Sequence, residues 1–446
     1  MQPSAFDTAR LAFEAGLAAQ QAGRLDEAAT QYRASLAALP GRPSTLTNLG
    51  ATLLAQGRAD EALTLLQQAT EAAPTHAEAW AHLGEAWLAH AQPAQALQAY
   101  TRLLALPAAG SAAQPRAALR QAECLARLGR LEEAAVAADA LVQRHADWGE
   151  AWLLAGSLRK DLGRFEAAAD ALQQAQSLGD NPDHAAYAGW LLAGLRGAHN
   201  AEAPPLPPPG YVEALFDGYA ADFDRHLDEL EYSAPELLLG GLVGRRYARA
   251  LDLGCGTGLV GRVVRPLVDR LDGLDVSAAM LERARATGAY DGLHQAELLA
   301  HLQQQAAGSI ELVLAADVFI YVGALDSVFA AVRRVLAPGG VFAFSVEEAP
   351  AGIDFELRAT ARYAHSARHL GELAARHGLV AHAREARATL RLEQRQPVAG
   401  LVMWLSPAPG HFDGLSAKGL SANGLSANGL SANGLSANGL GANGSA

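Results

Sequence analysis

The sequence predicts an α-helical solenoid, then an α/β domain built on a doubly wound parallel sheet, then a disordered low-complexity tail. Three observations carry that prediction. About 180 N-terminal residues repeat with a period of 34, apolar strand-like segments alternate with helical ones from Ala248 onward, and a GLSAN motif recurs from Gly414.

At 446 residues the chain is too long for one ordinary core. Its 47 acidic and 35 basic residues give a formal charge of −12, which opposes a phosphate backbone, and no Lys/Arg run offsets it locally. Nucleic acid is therefore not an expected partner. Cys124 and Cys255 lie far apart without CxxC spacing, so neither a disulfide framework nor a metal site is expected. The opening MQPSAFDTAR has no basic leader before an apolar stretch, and no apolar run of 18 residues follows. The expectation is a cytoplasmic protein without a membrane partner.

In the repeats, Gly16, Gly50 and Gly84 are 34 residues apart, as are Ala28, Ala62 and Ala96, with Tyr32, Leu66 and Tyr100 in register. Four extra residues near Ser111 shift the frame, after which Ala134 and Ala168 resume the spacing. Each internal turn has a glycine (Gly23, Gly57, Gly129 and Gly163) where a left-handed residue closes one helix. Acidic residues such as Asp26, Glu27, Asp60 and Glu61 then complement the dipole of the next helix. In the third unit Pro93, tolerated at a first helical position, stands in for the glycine signal.

This pattern resembles tetratricopeptide repeats, in about five copies over residues 9–182, with 183–200 as a capping helix. The resemblance implies a groove for a protein or peptide, lined by first-helix residues such as Asn48, His82, Glu85, Arg116, Arg120 and Lys160. That lining has mixed chemistry and names no ligand. Support or dimerisation of the next domain is the other reading of the array.

Residues 201–210, AEAPPLPPPG, carry five prolines and read as a stiff spacer at a domain boundary. Phe216, Tyr219, Phe223 and His226 follow at helical spacing, either as a core stripe or as a cap over a cofactor pocket.

The stretch ALDLGCGTGLVG, residues 250–261, admits two parses. GxGxG through Gly254, Gly256 and Gly258 suits S-adenosylmethionine, whereas GxGxxG through Gly256, Gly258 and Gly261 suits a dinucleotide. Asp252, two residues before Gly254, would repel a pyrophosphate and attract an ammonium or sulfonium. Asp275 at the end of LDGLD can accept from two ribose hydroxyls in either ligand.

Downstream, AAGSIELVLAADVFIYV and VFAAVRRVLAPGGVFAFSVE, with the turn at Pro338, Gly339 and Gly340, resemble the fourth and fifth strands of class I S-adenosylmethionine-dependent methyltransferases. The resemblance covers about residues 211–406 and is nearest to small-molecule enzymes of the ubiquinone-biosynthesis and trans-aconitate kind. It implies a Rossmann-like, seven-stranded sheet whose last two strands match GLVAHAREA and VAGLVMWLS. Asp252, Gly254, Cys255, Gly256 and Gly258 would hold the methionine part, with Tyr219 in the cap. Asp275 and Val276 would hold the ribose, Glu297 the adenine amine, and Leu298 the adenine face. Glu297 stands where many members have Asp. Asp317, Val318 and Tyr321 would floor the place where cofactor meets acceptor.

An activated methyl needs alignment more than a covalent nucleophile, and positioning supplies roughly 7–11 kcal/mol. Cys255 accordingly reads as a small loop residue. A hydroxyl or acidic-carbon acceptor also needs a base, and RYAHSARHL offers Tyr363, His365 and His369, with His365 the first candidate and Tyr321 a second catalytic candidate. The expected function is methyl transfer to an unidentified acceptor, with the repeats recruiting a protein. The alternative is a non-catalytic scaffold. In the tail, ordering five backbones costs roughly 5–10 kcal/mol against roughly 1.5–3 from burying one leucine, so residues 414–446 are expected to be disordered.

Overall fold

Alanine-rich helices in antiparallel pairs occupy the first part of the computed structural model, which describes residues 4–107, 113–179, 181–382, 386–393 and 395–408. The GLSAN tail and part of the expected strand GLVAHAREA lie outside the described residues. The pairs are α1 (Ala5–Gln21) with α2 (Leu25–Ala38), α3 (Pro43–Ala55) with α4 (Ala59–Ala72), and α5 (Ala77–Ala89) with α6 (Pro93–Leu104). They continue as α7 (Ala113–Arg127) with α8 (Leu131–Arg144), and α9 (Gly149–Asp161) with α10 (Phe165–Leu178). One more helix, α11 (Pro182–Leu195), starts at Asn181, whose side chain accepts from the Asp183 and His184 amides.

The 34-residue period has a steric origin. Gly16, Gly50, Gly84 and Gly156 face Tyr32, Leu66, Tyr100 and Leu172, and a Cβ on any of these glycines would come within 2.7 Å of the facing side chain. The helices of these four pairs therefore approach where the first has no side chain, while α7 carries the small buried Ala122 at the corresponding place. In the third unit the turn position equivalent to Gly57 is Ala91, which adopts a left-handed φ of 52°.

The second part begins with α12 (Tyr211–Tyr219), α13 (Phe223–Glu229) and α14 (Ala234–Gly240). There follow β1 (Tyr247–Leu253), α15 (Leu259–Val264), β2 (Val268–Asp275), α16 (Ala278–Ala286), β3 (Gly292–Gln295) and α17 (Leu298–Gln304). Next come β4 (Ile310–Ala315), α18 (Asp326–Val335), β5 (Leu336–Glu348), β6 (Phe355–Leu357), β7 (Tyr363–His365) and α19 (Ala367–Arg376). The last described strands are β8 (Leu379–Ala381), β9 (Ala386–Glu393) and β10 (Gln396–Pro407).

The main strand order is β3-β2-β1-β4-β5-β10-β8, the expected seven, with the first five parallel and β10 antiparallel to β5. Three further strands extend it: β7 pairs with β5, β6 with β7, and β9 with β10. Side chains alternate between two cores. Leu312, Leu314, Val341 and Ala343 pack with Leu238 and Val264 on one face, while Val313, Phe342 and Phe344 pack with Phe329 and Leu370 on the other. Pro338–Gly340 forms an irregularity inside β5 rather than a turn before it, with Gly339 at φ 70° and a register shift opposite Ile310 and Leu312.

The expected stiff spacer is instead docked. The Pro205 carbonyl accepts from the Gly323 and Ala324 amides, and the Pro204 carbonyl accepts from the Tyr363 hydroxyl at 2.8 Å. Repeats and sheet also share a core: Leu172, Trp190 and Leu191 cluster with Ala203, Leu357 and Tyr363. Trp190 Nε1–H donates to the Tyr363 hydroxyl at 2.9 Å, and Tyr211 packs between Tyr187 and Trp190. These apolar contacts hold α11, the linker and the β6–β7 hairpin as one layer.

Candidate active site

A cavity of about 700 Å³ opens at the carboxyl ends of β1, β2 and β4, where a doubly wound sheet leaves room for a ligand. One end is the glycine loop. Gly254, Gly256 and Gly258 have φ of 62°, 53° and 92°, so the backbone turns through three left-handed residues before α15 begins. Gly254 also has no room for a side chain, since a Cβ there would lie 2.7 Å from Val318. The Cys255 amide donates to the Leu274 carbonyl, which fixes the loop against β2. Burial pushes the Cys255 thiol well above its ordinary pKa, consistent with an unreactive loop residue.

Asp275 ends β2. Its Oδ2 accepts from the Gly256 amide and its Oδ1 from the Ser277 amide, each at 2.9 Å. The Val276 amide also faces it, and a carboxylate has about four acceptor positions, so capacity remains for a ligand hydroxyl. Burial raises its pKa even against these hydrogen bonds. Glu297 caps α17 by accepting from the Ala300 amide at 2.9 Å and lines the cavity beside Leu298. The helix cap holds one carboxylate oxygen and the wall position exposes the other to a ligand.

Helices α12 and α13 cover the loop. Asp224 on α13 accepts from the Thr257 hydroxyl and from Arg262 Nη2, while Asp217 on α12 accepts from the Ser277 hydroxyl at 2.6 Å. The aromatic stripe faces inward, with Phe216, Tyr219, Phe223 and His226 all on the cavity wall and Phe216 edge-on to Tyr321 at 5.4 Å. Of the two readings of that stripe, the cap is the one the packing shows.

The opposite end is a buried ion network. Asp317 has a left-handed φ of 53°, and its amide donates to the Ser345 hydroxyl, which donates back to Asp317 Oδ1 at 2.7 Å. Arg391 donates from Nη1 to Asp317 at 2.9 Å, from Nη2 to Glu347 and from Nε to Glu393 at 2.8 Å. Arg362 donates to Glu393 and faces the Tyr321 hydroxyl. Both arginines line the cavity.

Of the residues expected from sequence, Tyr219, Gly254, Cys255, Gly256, Asp275, Val276, Glu297, Leu298, Asp317, Val318 and Tyr321 meet on this one wall. Gly258 stands behind it as the residue before α15, and Asp252 stands behind it beneath the loop. Asp252 accepts from the Tyr290 hydroxyl at 2.7 Å, its Oδ1 is buried without a partner, and burial pushes its carboxyl up to about 7.

His365 is not brought to the cavity. It is fully buried in β7, and Nε2–H donates to the Phe319 and Val322 carbonyls at 3.1 and 3.0 Å. Its neighbour Tyr363 serves the junction with the repeats, and His369 lies 3.8 Å from Asp354, off the wall. The residue of that stretch that does reach the cavity is Arg362, a guanidinium rather than a base. Arg391, Tyr232 and the linker residues Leu206–Gly210 were also missed, because each arrives from a distant segment.

Among the described residues no group of three or more His, Cys, Asp or Glu is placed to hold a metal, and no helix is long and apolar enough to cross a membrane.

Residues 251–342 match the model of a methyltransferase domain. Tetratricopeptide-repeat models match residues 19–86, 116–147 and 149–179, and a GLTT-repeat model matches residues 414–440. The chain is 34% identical over 134 residues to a malonyl-[acyl-carrier protein] O-methyltransferase of Enterobacter lignolyticus, covering 30% of this chain and 52% of that one. It is 30% identical over 152 residues to a ubiquinone biosynthesis O-methyltransferase of Bordetella avium, covering 31% and 62%. Among solved structures, the N-methyltransferase NodS of Bradyrhizobium japonicum, in complex with S-adenosyl-L-homocysteine, aligns at 19% identity and a TM-score of 0.36, covering 44% of this chain and 98% of that one. The chain spans about half the length of the curated relatives it matches. It carries tetratricopeptide repeats joined to a methyltransferase domain.

Proposed function

We propose that the protein is an S-adenosylmethionine-dependent methyltransferase whose repeats form a docking surface for a protein or peptide, acting in the cytoplasm. The observation that carries this reading is the convergence of the glycine turn, Asp275 and Glu297 on one end of a cavity whose other end holds Tyr321 and Arg362.

The residues fit that cofactor chemically. Asp275 has acceptor capacity left for a ribose hydroxyl, and Glu297 can accept from an adenine amine. The unpartnered Oδ1 of Asp252 lies beneath the loop, where burial raises its carboxyl to about 7 and a cationic ligand above would favour its ionised form. When bound, the cofactor supplies an activated methyl group on a sulfonium. The protein's own part is positional: α12 and α13 exclude water, the loop orients the ligand, and Tyr321 and Phe216 bound the acceptor's approach. His365, with its proton given to two carbonyls, takes no part in this account.

The relatives' names support transfer to oxygen, since both curated relatives cited are O-methyltransferases. The non-catalytic alternative has no missing cavity group in its favour. Titration calorimetry separates the two. S-adenosylmethionine should bind the full chain, Asp275→Ala should weaken it at least tenfold, and NADH should not bind. Absence of S-adenosylmethionine binding would leave the scaffold reading.

A further inference from the structure

A ligand held on the glycine loop lies under α12 and α13, because Phe216, Tyr219, Phe223 and His226 share the cavity wall with Gly254–Thr257. Its exchange requires that cap to move. Among the described residues, none in α12 or α13 is fully buried, whereas α14 just behind them buries Ala234, Pro235 and Leu238. Segments that bury few apolar groups are the ones that open locally. The ties from cap to sheet are largely polar: Asp217 to Ser277, Asp224 to Thr257 and Arg262, and the Ala221 carbonyl to Arg283 Nη2 at 3.0 Å. Phe216 adds its edge-on contact with Tyr321.

The two ends of the cap are held differently. At the C-terminal end the Leu392 amide donates to the Leu230 carbonyl at 2.6 Å and the Ser233 amide donates to the Leu390 carbonyl at 3.0 Å, which stitches the chain to β9. Glu231, between them, turns through a left-handed φ of 52°. At the N-terminal end Gly210 has a φ of 74° and open space where a Cβ would stand. The next residue, Tyr211, is gripped by the repeats. Its ring lies 5.2 Å from that of Tyr187 and 4.8 Å from that of Trp190, one turn apart on α11, and its hydroxyl faces that of Tyr187. A tyrosine brings a large apolar face and one polar handle to such a contact. All three rings stand off the cavity wall.

We propose that α12 and α13 form a lid hinged at Leu230–Ser233, and that the last helix of the repeat array latches its free end through Tyr211, so that the repeats set the rate of cofactor exchange. This rests on the methyl-transfer reading above. Tyr211 is then a positioning residue, acting through the cap to which Phe216 and Tyr219 belong. The array gains a second role besides docking, because a side chain of α11 that lines no part of the cavity holds the cavity shut.

The test loads the full chain with tritiated S-adenosylmethionine and follows release of the label after a chase with excess unlabelled S-adenosyl-L-homocysteine. Tyr211→Ala should release the label at least fivefold faster than wild type, while Tyr211→Phe, which keeps the ring, should stay within threefold. Tyr187→Ala, a change in the repeats alone, should also speed release. The double variant should release no faster than Tyr211→Ala, since both changes remove one shared contact. In Tyr211→Ala, hydrogen exchange should quicken across α12 and α13 while the amides of β1 and β4 keep wild-type protection. A smaller acceleration in Tyr211→Ala would overturn the proposal, as would wild-type release in Tyr187→Ala. Faster exchange in β1 and β4 by the same factor as in the cap would make Tyr211 a general stabiliser and overturn it as well. A wild-type chain that takes up no label would instead sink the methyl-transfer reading on which this one rests.

Discussion

The Tyr290 hydroxyl donates to Asp252 at 2.7 Å, and the Tyr290 ring fills the space that a side chain on Gly261 would need. A Cβ on Gly261 would stand 2.4 Å from that ring, and one on Gly273 would stand 2.8 Å away. Gly261 is thus a packing glycine, which lets α15 approach the Tyr290 ring. Gly261→Ala should cost about 1–3 kcal/mol through overpacking, read as a lower urea midpoint at constant slope. A change below about 0.5 kcal/mol, as at an ordinary surface site, would contradict this role for the glycine.

Asp252 should limit stability at high pH. Burial raises its carboxyl from 3.8 to about 7, with the nearby Asp275 adding to the rise and Tyr290 opposing it. Between those values the folded protein holds a proton that the unfolded chain has released. The stabilisation is therefore complete below about 4 and is lost as pH rises toward 7. Asp252→Asn should raise the thermal midpoint at pH 8, by an amount on the order of a few kcal/mol in stability, and should change little at pH 4. The same variant should bind S-adenosylmethionine more weakly. A lower midpoint at pH 8 would reject the burial argument.

Parts of this arrangement were legible in the sequence because they are local. The Gly16–Tyr32 contact recurs in four of the five helix pairs, so the repeat announces itself, and the left-handed turn at Gly254–Gly258 is written in adjacent residues. The cap stripe from Phe216 to His226 was visible as helical spacing, although its inward direction was not. What could not be read were groups that meet across sequence distance. Arg391 reaches Asp317 across 74 residues, and Trp190 reaches Tyr363 across 173. Within RYAHSARHL, alternation along β7 turns His365 into the protein and leaves Arg362, just before the strand, on the cavity.

His365 should report on acid stability rather than on catalysis. Burial is the main cause lowering its pKa from 6.5 to about 4, and the two carbonyl contacts oppose that shift only in part. Below 6.5 the unfolded chain takes up a proton that the folded protein resists. The stabilisation is full above 6.5 and declines as pH falls toward 4. His365→Gln, which keeps a side-chain N–H, should flatten the stability profile between those values. A wild-type slope in that variant would remove His365 from the acid response.

Tyr363 should couple the repeats to the acceptor end of the cavity. Its hydroxyl accepts from Trp190 Nε1–H of α11 and donates to the Pro204 carbonyl, and the next carbonyl, that of Pro205, holds the Gly323 and Ala324 amides just beyond Tyr321. Tyr363→Phe keeps the ring but leaves the buried Trp190 donor and the Pro204 carbonyl without this partner, at a cost of about 1–3 kcal/mol. Because the lesion is at the junction, its effect should be local. Hydrogen exchange should quicken at Gly323 and Ala324 while the amides of α3 and α4, far along the array, keep wild-type protection. S-adenosylmethionine affinity should stay within about threefold, since the glycine loop and Asp275 make none of these contacts. Uniformly faster exchange across both parts of the chain would show that Tyr363 supports global stability alone and does not set the linker wall.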